Sequence, residues 1–358
     1  MPHLFRVNAA TSLLAIAGCL SGCIVASSEA LAAQGCEPIR FMTPIDLGGA
    51  GQAYQQARKW RITMAVRSLH ANQFIVGTTD TPTAGPNGEP SVIDIQTAIV
   101  DVAYSINSRY RLRVSVPFSS GRLTRKWPDT QHHAQTTLGL GDVSVSGEAW
   151  LWKPERHENG NIALGFGVKT PTGSHTLASK FYTATGAVDF PADQTIQPGD
   201  GGWAVTTEVQ GFRRLTERLF GYASGFYMLS PRAKTEVKPS PTSTDRWSVP
   251  DIYNGRLGAA FSIWPSEGLS VSLGGRVDGI PKRDLIGGGN DSTVKRVSTI
   301  TYLDPGLSWS RGRNVLTVSV PIRTSAERKQ SELEQRTKVK GGGGFAKYLV
   351  FVSYSFTP

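Results

Sequence analysis

The sequence predicts an all-β fold: a transmembrane antiparallel β-barrel of about 12 strands with up-and-down topology. Two observations carry that expectation. Apolar and polar residues alternate with period two in runs of about 9 to 12, the length a tilted strand needs to cross a bilayer. The connections between those runs alternate between short and long, as in outer-membrane barrels with tight periplasmic turns and long outer loops.

The chain opens with an export signal. Arg6 precedes an apolar stretch from Ala9 to Ala26, and Ala30-Leu31-Ala32 is a small-residue cleavage site, so residues 1–32 read as a signal peptide. Leu20-Ser21-Gly22-Cys23 and Ile16-Ala17-Gly18-Cys19 also resemble lipoprotein boxes, which would leave a lipidated cysteine instead. After cleavage at Ala32 only Cys36 remains, so the fold must hold without a disulfide framework. Residues 33–58 read as a short periplasmic segment or partial plug, and residues 59–358 as the barrel.

The strands follow in order. In GDVSVSGEAWLW (141–152), Val143, Val145, Ala149 and Leu151 share one face and Asp142, Ser144, Ser146 and Glu148 the other. In NIALGFGVK, Ile162, Leu164, Phe166 and Val168 oppose Lys169, and in NVLTVSVPIR, Leu316, Val318, Val320 and Ile322 oppose Thr317, Ser319 and Arg323. Short links fall near residues 107–109, 153–160, 216–218, 265–268 and 311–313. Long polar ones run over 80–92, 119–137, 174–203, 230–252, 282–298 and 324–346. One strand, five hairpins and a closing strand make twelve, an even number with both barrel ends on the periplasmic side.

Alternation turns a set of charges inward: Asp101, Arg111, Arg113, Asp142, Glu148, Lys169, Glu208, Arg256, Arg276, Asp278, Asp304 and Arg323. On the lipid face at midplane an Arg or Lys would cost about 2 to 4 kcal/mol, so these residues are expected to line the lumen. Twelve strands lie between the eight that side chains fill and the 16 to 18 that leave an aqueous channel. An ion-pair network and a selectivity lining both fit. Five prolines, Pro117, Pro171, Pro231, Pro281 and Pro321, sit where strands rising outward are expected to meet long loops. There a missing N–H is harmless, at a rim or a bulge.

The chain carries 38 Lys and Arg against 28 Asp and Glu, a net charge of +10, and mean hydropathy is −0.21. Much of the surplus is expected in loop segments such as RLTRKW (122–127), PRAKTEVKP (231–239) and SAERKQ (325–330). An exported chain without a nucleic-acid motif points to an anionic membrane surface and away from nucleic acid.

The final strand, KYLVFVSYSFTP, places Tyr348, Val350, Val352, Tyr354 and Phe356 on one face and resembles the C-terminal insertion signal of bacterial outer-membrane proteins, with Thr357 and Pro358 added. SINSRYRLRVSVPF, LGLGDVSVSGEAWLW and GFGVKTPTG resemble recurring segments of an outer-membrane transporter-like family associated with the meta pathway of phenol degradation. LGGAGQAY (47–54) bears a more distant likeness to the long-chain fatty acid transporters, without the asparagine-proline that follows it there. The resemblance implies a barrel that moves aromatic or other small hydrophobic compounds.

Other chemistry finds little support. His132-His133 with Asp129 are adjacent residues of one loop, and Asp189, Asp193 and Asp200 match no defined calcium loop, so no metal is expected. Ser174-His175 lacks the partners of a nucleophile, and the Gly341–Gly344 run lacks the helix and Lys-Ser/Thr of a phosphate cradle and reads as loop slack. The expected function is passive passage of small molecules through a Gram-negative outer membrane, with no catalytic residue and no cofactor. Expected partners are outer-membrane lipid and lipopolysaccharide, a small-molecule solute and the barrel assembly machinery. A non-conducting anchor and a barrel lipid hydrolase are the alternatives.

Overall fold

The computed structural model describes residues 58–82, 85–286 and 293–358. The signal peptide, and the 33–58 segment apart from Arg58, lie outside the described residues. Twelve antiparallel strands, each paired with the next in sequence, close on themselves: β1 (Trp60–Val76), β2 (Val92–Ser105), β3 (Tyr110–Lys126), β4 (His132–Leu140 and Ser144–Trp150), β5 (Gly160–Lys169), β6 (Ala204–Arg214), β7 (Leu219–Leu229), β8 (Ile252–Trp264), β9 (Leu269–Ile280), β10 (Ser298–Leu303 and Gly306–Arg311), β11 (Asn314–Ser319 and Ile322–Arg328) and β12 (Gly343–Phe356). The ladder from Ile62–Phe356 to Ile75–Gly343 joins β12 to β1. A closed sheet leaves no unpaired edge, the condition for a β structure to sit in hydrocarbon.

The outward face is apolar over one band. On β3, Tyr110, Leu112, Val114, Val116 and Phe118 are exposed on the outside while Ser115 and Ser119 are buried inside. Eight tilted residue steps of about 3.4 Å span about 20 Å, near the height of a barrel's lipid-facing belt. Trp60, packed on Tyr104 with ring centroids 4.7 Å apart, begins an aromatic girdle on the periplasmic side with Tyr110, Trp264 and Tyr354. Beyond Phe118 the outward residues become Ser120, Arg122, Thr124 and Lys126, so the strand has left the lipid.

That change corrects the reading of residues 119–137 as a loop. β3 runs to Lys126 and β4 starts at His132, leaving only residues 127–131 as the turn. Most of RLTRKW and the first part of SAERKQ likewise lie in strands. Above the membrane both outward and inward patterns change, and the alternation no longer pairs lipid with water.

Two of the five rim prolines need the same correction. Pro117 lies in mid-strand, with nine strand residues beyond it. Its carbonyl accepts from Gly141 N at 2.9 Å, and in an antiparallel strand a residue's N–H and C=O face the same neighbour. The missing donor therefore faces the break in β4 between Leu140 and Ser144. Pro321 sits in the break of β11, where its carbonyl accepts from Leu349 N, and Pro305, which the sequence reading passed over, sits in the break of β10. Pro171, Pro231 and Pro281 do follow strand ends, at Lys169, Leu229 and Ile280.

The outer half of the barrel is filled by an apolar core. Leu69, Phe74, Ile93, Ile95, Leu123, Ile300, Phe345 and Leu349 are each at most 4% exposed, and Ile196 from the β5–β6 connection packs among them. That connection carries a hairpin, Ala178–Thr183 with Gly186–Pro191, and then folds inward over 192–200. Gly121 faces Ile196 so closely that a Cβ there would lie 2.6 Å from the Ile196 Cβ and 2.7 Å from its carbonyl oxygen. The glycines at 341–344 are not slack either: all four are buried, β12 begins at Gly343, and a Cβ on Gly342 would enter the Phe74 ring.

Gly121→Val is expected to overpack this contact at a cost of about 1–3 kcal/mol. A lower temperature for loss of the compact, heat-modifiable band on gels would register it.

Candidate functional site

The barrel interior is built in three tiers. Nearest the periplasm, the inward positions of β3, β4 and β6 bring Arg111 to Glu148 at 2.7 Å and Arg113 to Glu208 at 2.8 Å, and Gln210 donates to Glu148 at 2.6 Å. These four charged side chains keep 11–19% exposure, so water reaches them from below.

The middle tier is dry. Arg256 meets Asp304 at 2.6 Å and Arg276 meets Asp278 at 2.9 Å, none of the four more than 8% exposed. Ser319 and Asn254 add donors to Asp304 and Asp278, each at 2.5 Å. Asp101 lies near Arg113 and Arg67 with Ser115 as hydrogen-bond partner. The Arg276 guanidinium sits 4.6 Å from the Phe351 ring centre, with Arg67 on the same ring at 5.9 Å. Five guanidiniums (67, 111, 113, 256, 276) thus share this part of the lumen with five carboxylates (101, 148, 208, 278, 304), and their formal charges cancel.

The third tier joins the wall to the inward connection. Lys169, at the end of β5, contacts Asp142 at 3.0 Å, Asp200 at 2.6 Å and the Gly202 carbonyl at 2.7 Å. Asp142 and Asp304 both lie in strand breaks, yet keep the inward phase of Glu148 and Tyr302 on the neighbouring strand segments. Arg323 stands apart: it donates to Gln73 and faces Asp80 at longer range.

Above these tiers three outer connections converge on Arg296, whose side chain is 0% exposed. It donates to Thr195 Oγ1 at 2.8 Å, pairs with Asp193 at 3.3 Å and lies 4.3 Å from the Trp247 ring centre. Burial pushes the Asp193 carboxyl up, but Arg296 and Thr195 outweigh it and hold the group below the ordinary aspartate value. The reverse holds for Asp284, where burial wins over the Lys295 ammonium 2.6 Å away and raises the carboxyl.

The other sequence candidates disperse. His133 pairs with Asp129 and His132 with Glu89, so the two imidazoles diverge. Asp189, Asp193 and Asp200 go to three different cations: Lys180, Arg296 and Lys169. His175 binds Glu236 at 2.7 Å, on another outer connection. Among the described residues no group of His, Cys, Asp and Glu is arranged to hold a metal. Sequence reasoning missed Arg67, whose inward alternation with Ala65 and Leu69 was visible, and Arg296, for which no local pattern existed.

Arg296→Met leaves the Asp193 charge unpaired in a nearly dry site, a loss of about 3–5 kcal/mol. Faster tryptic cleavage at Lys180 in the otherwise folded barrel is the expected result. Because the folded Asp193 carboxyl titrates below its unfolded value, its stabilising contribution is present at neutral pH and lost as pH falls below about 3.9. Pepsin susceptibility of the same connection should therefore rise between pH 5 and pH 2, less steeply in Asp193→Asn.

No family model matches the chain, and no curated protein matches it by sequence. By structure it is similar to the COG4313 outer membrane channel from Pseudomonas putida F1, at 12% identity and a TM-score of 0.61 over 88% of this chain and 100% of that one. The CymD monoaromatic hydrocarbon channel (9% identity, TM-score 0.42, 85% of this chain and 89% of that one) and the P. putida toluene transporter TodX (10%, 0.40, 85% and 91%) superpose more loosely. At these identities the likeness is one of fold; the closed ladder and the outward apolar belt mark the chain as an outer-membrane β-barrel.

Proposed function

We propose that the protein is a passive outer-membrane channel for small hydrophobic molecules, aromatic compounds included. The observation that carries this reading is the change in lining along the axis. Balanced ion pairs, hydrated at the periplasmic end and dry at mid-depth, line the inner half, and an apolar cluster fills the outer half with the 192–200 segment seated in it. A solute moving along the axis must displace that segment, and the chamber it vacates is walled by Leu69, Phe74, Ile93, Leu123 and Phe345. Such walls favour apolar solutes by burying their surface, about 25 cal/mol per Å². The balanced lumen beneath repels neither ionic sign. The fold-level similarity to a crystallised outer membrane channel supports the same reading.

The dry middle tier favours one rival, an anchor that conducts nothing. The two separate in intact cells, whose lipopolysaccharide leaflet slows lipophilic entry. Expression of the protein is expected to speed uptake of N-phenyl-1-naphthylamine severalfold over cells carrying an empty vector. Equal rates in the two strains would leave the anchor.

A further inference from the structure

The charge surplus sits in an unexpected place. Strand ends and turns on the periplasmic side, residues 58–61, 106–110, 151–159, 213–218, 265–268 and 311–313, hold eleven Lys and Arg and four Glu. That ring accounts for most of the net charge of +10, whereas the membrane-level lumen cancels. The preceding segment 33–57, with Glu37, Arg40 and Asp46, has too little charge to neutralise it.

We infer that the periplasmic rim is a binding collar for anionic phospholipid headgroups. Arg213, Arg218, Arg311 and Arg313 are exposed, as are Lys153 and Arg156. Arg213 ends the outward row of β6 that contains Val209, and Arg311 ends the outward row of β10 that contains Leu307 and Trp309, so both leave the lipid face directly. Arg311 touches Glu267 at only 3.5 Å, both well exposed. Next along the strands lies the aromatic girdle, where interfacial rings mark headgroup depth. The Arg109 guanidinium stands 5.5 Å from the Tyr110 ring centre while donating to the Trp150 and Leu151 carbonyls, which joins the two belts. Distribution decides the partner. An acidic protein would need a patch on one side, but the basic residues occupy four of the five turns as well as the start of β1, a ring that suits the leaflet surrounding the barrel.

Trp60, Trp152 and Trp264, exposed at this level, make the collar measurable. The full chain is reconstituted in phosphatidylcholine bilayers with brominated phosphatidylglycerol or brominated phosphatidylcholine as quencher, at 50 mM salt. Quenching should show a roughly fivefold preference for the anionic lipid, the factor that a cation near a charged membrane surface is worth, declining at 0.5 M salt. The fourfold variant Arg213→Gln/Arg218→Gln/Arg311→Gln/Arg313→Gln, checked for heat-modifiable migration, should quench equally with both. Equal quenching of the unaltered protein, or a preference that survives in the folded variant, overturns the collar. Binding of an acidic periplasmic protein without lipid preference does so too. A barrel that passes no solute would still show the preference, so this result stands apart from the channel reading.

Discussion

Every other feature of this molecule depends on the absence of a sheet edge. In hydrocarbon each unpaired backbone N–H or C=O costs several kcal/mol, so the sheet must close before it can reside there. Closure then fixes two surfaces by alternation. Once Val114 and Val116 face acyl chains, Arg113 and Ser115 must face the lumen, and the ionic residues must find partners inside.

The lumen solves that requirement in ways that differ with depth. Where water enters, ion pairs such as Arg111–Glu148 remain partly hydrated and lose little by being there. At mid-depth, desolvation is offset only by added hydrogen bonds and aromatic faces, as Ser319 gives Asp304 and Phe351 gives Arg276. Further out an apolar cluster contributed by the wall packs against Ala192 and Ile196 of the inward connection. The connection's buried ties are numerous: Lys169 and Asp142 hold one end, Thr137 donates to the Ile196 carbonyl and Gln135 accepts from Asp193 N along the wall, and Arg296 grips the tip.

Where lipid and water lie on opposite faces of a strand, the sequence could be read directly. The twelve strands, the turn positions and the inward set from Asp101 to Asp304 all follow from period-two patterning. Legibility ended at the membrane's outer border, where Ser120, Arg122 and Thr124 resemble a loop although they continue β3. Proline misled for a related reason. Pro117 reads as a strand terminus because the sequence does not show that its neighbour is broken at that height. The Arg296 junction was invisible because its partners, Asp193, Thr195 and Trp247, come from connections about 50 to 100 residues away with no shared pattern.

The seam between the first and last strands has a temporal meaning. Thr63 and Ser355, joined by a hydroxyl hydrogen bond at 2.7 Å, are 292 positions apart, nearly the whole described chain. β1 has to wait, one flank bare, until the ribosome has delivered the final residues and export has carried them across. Contacts that distant carry a heavy loop-closure penalty until they form together. Chains cut short before β12 would therefore keep two sticky flanks, fit for a chaperone or a protease but not for a bilayer.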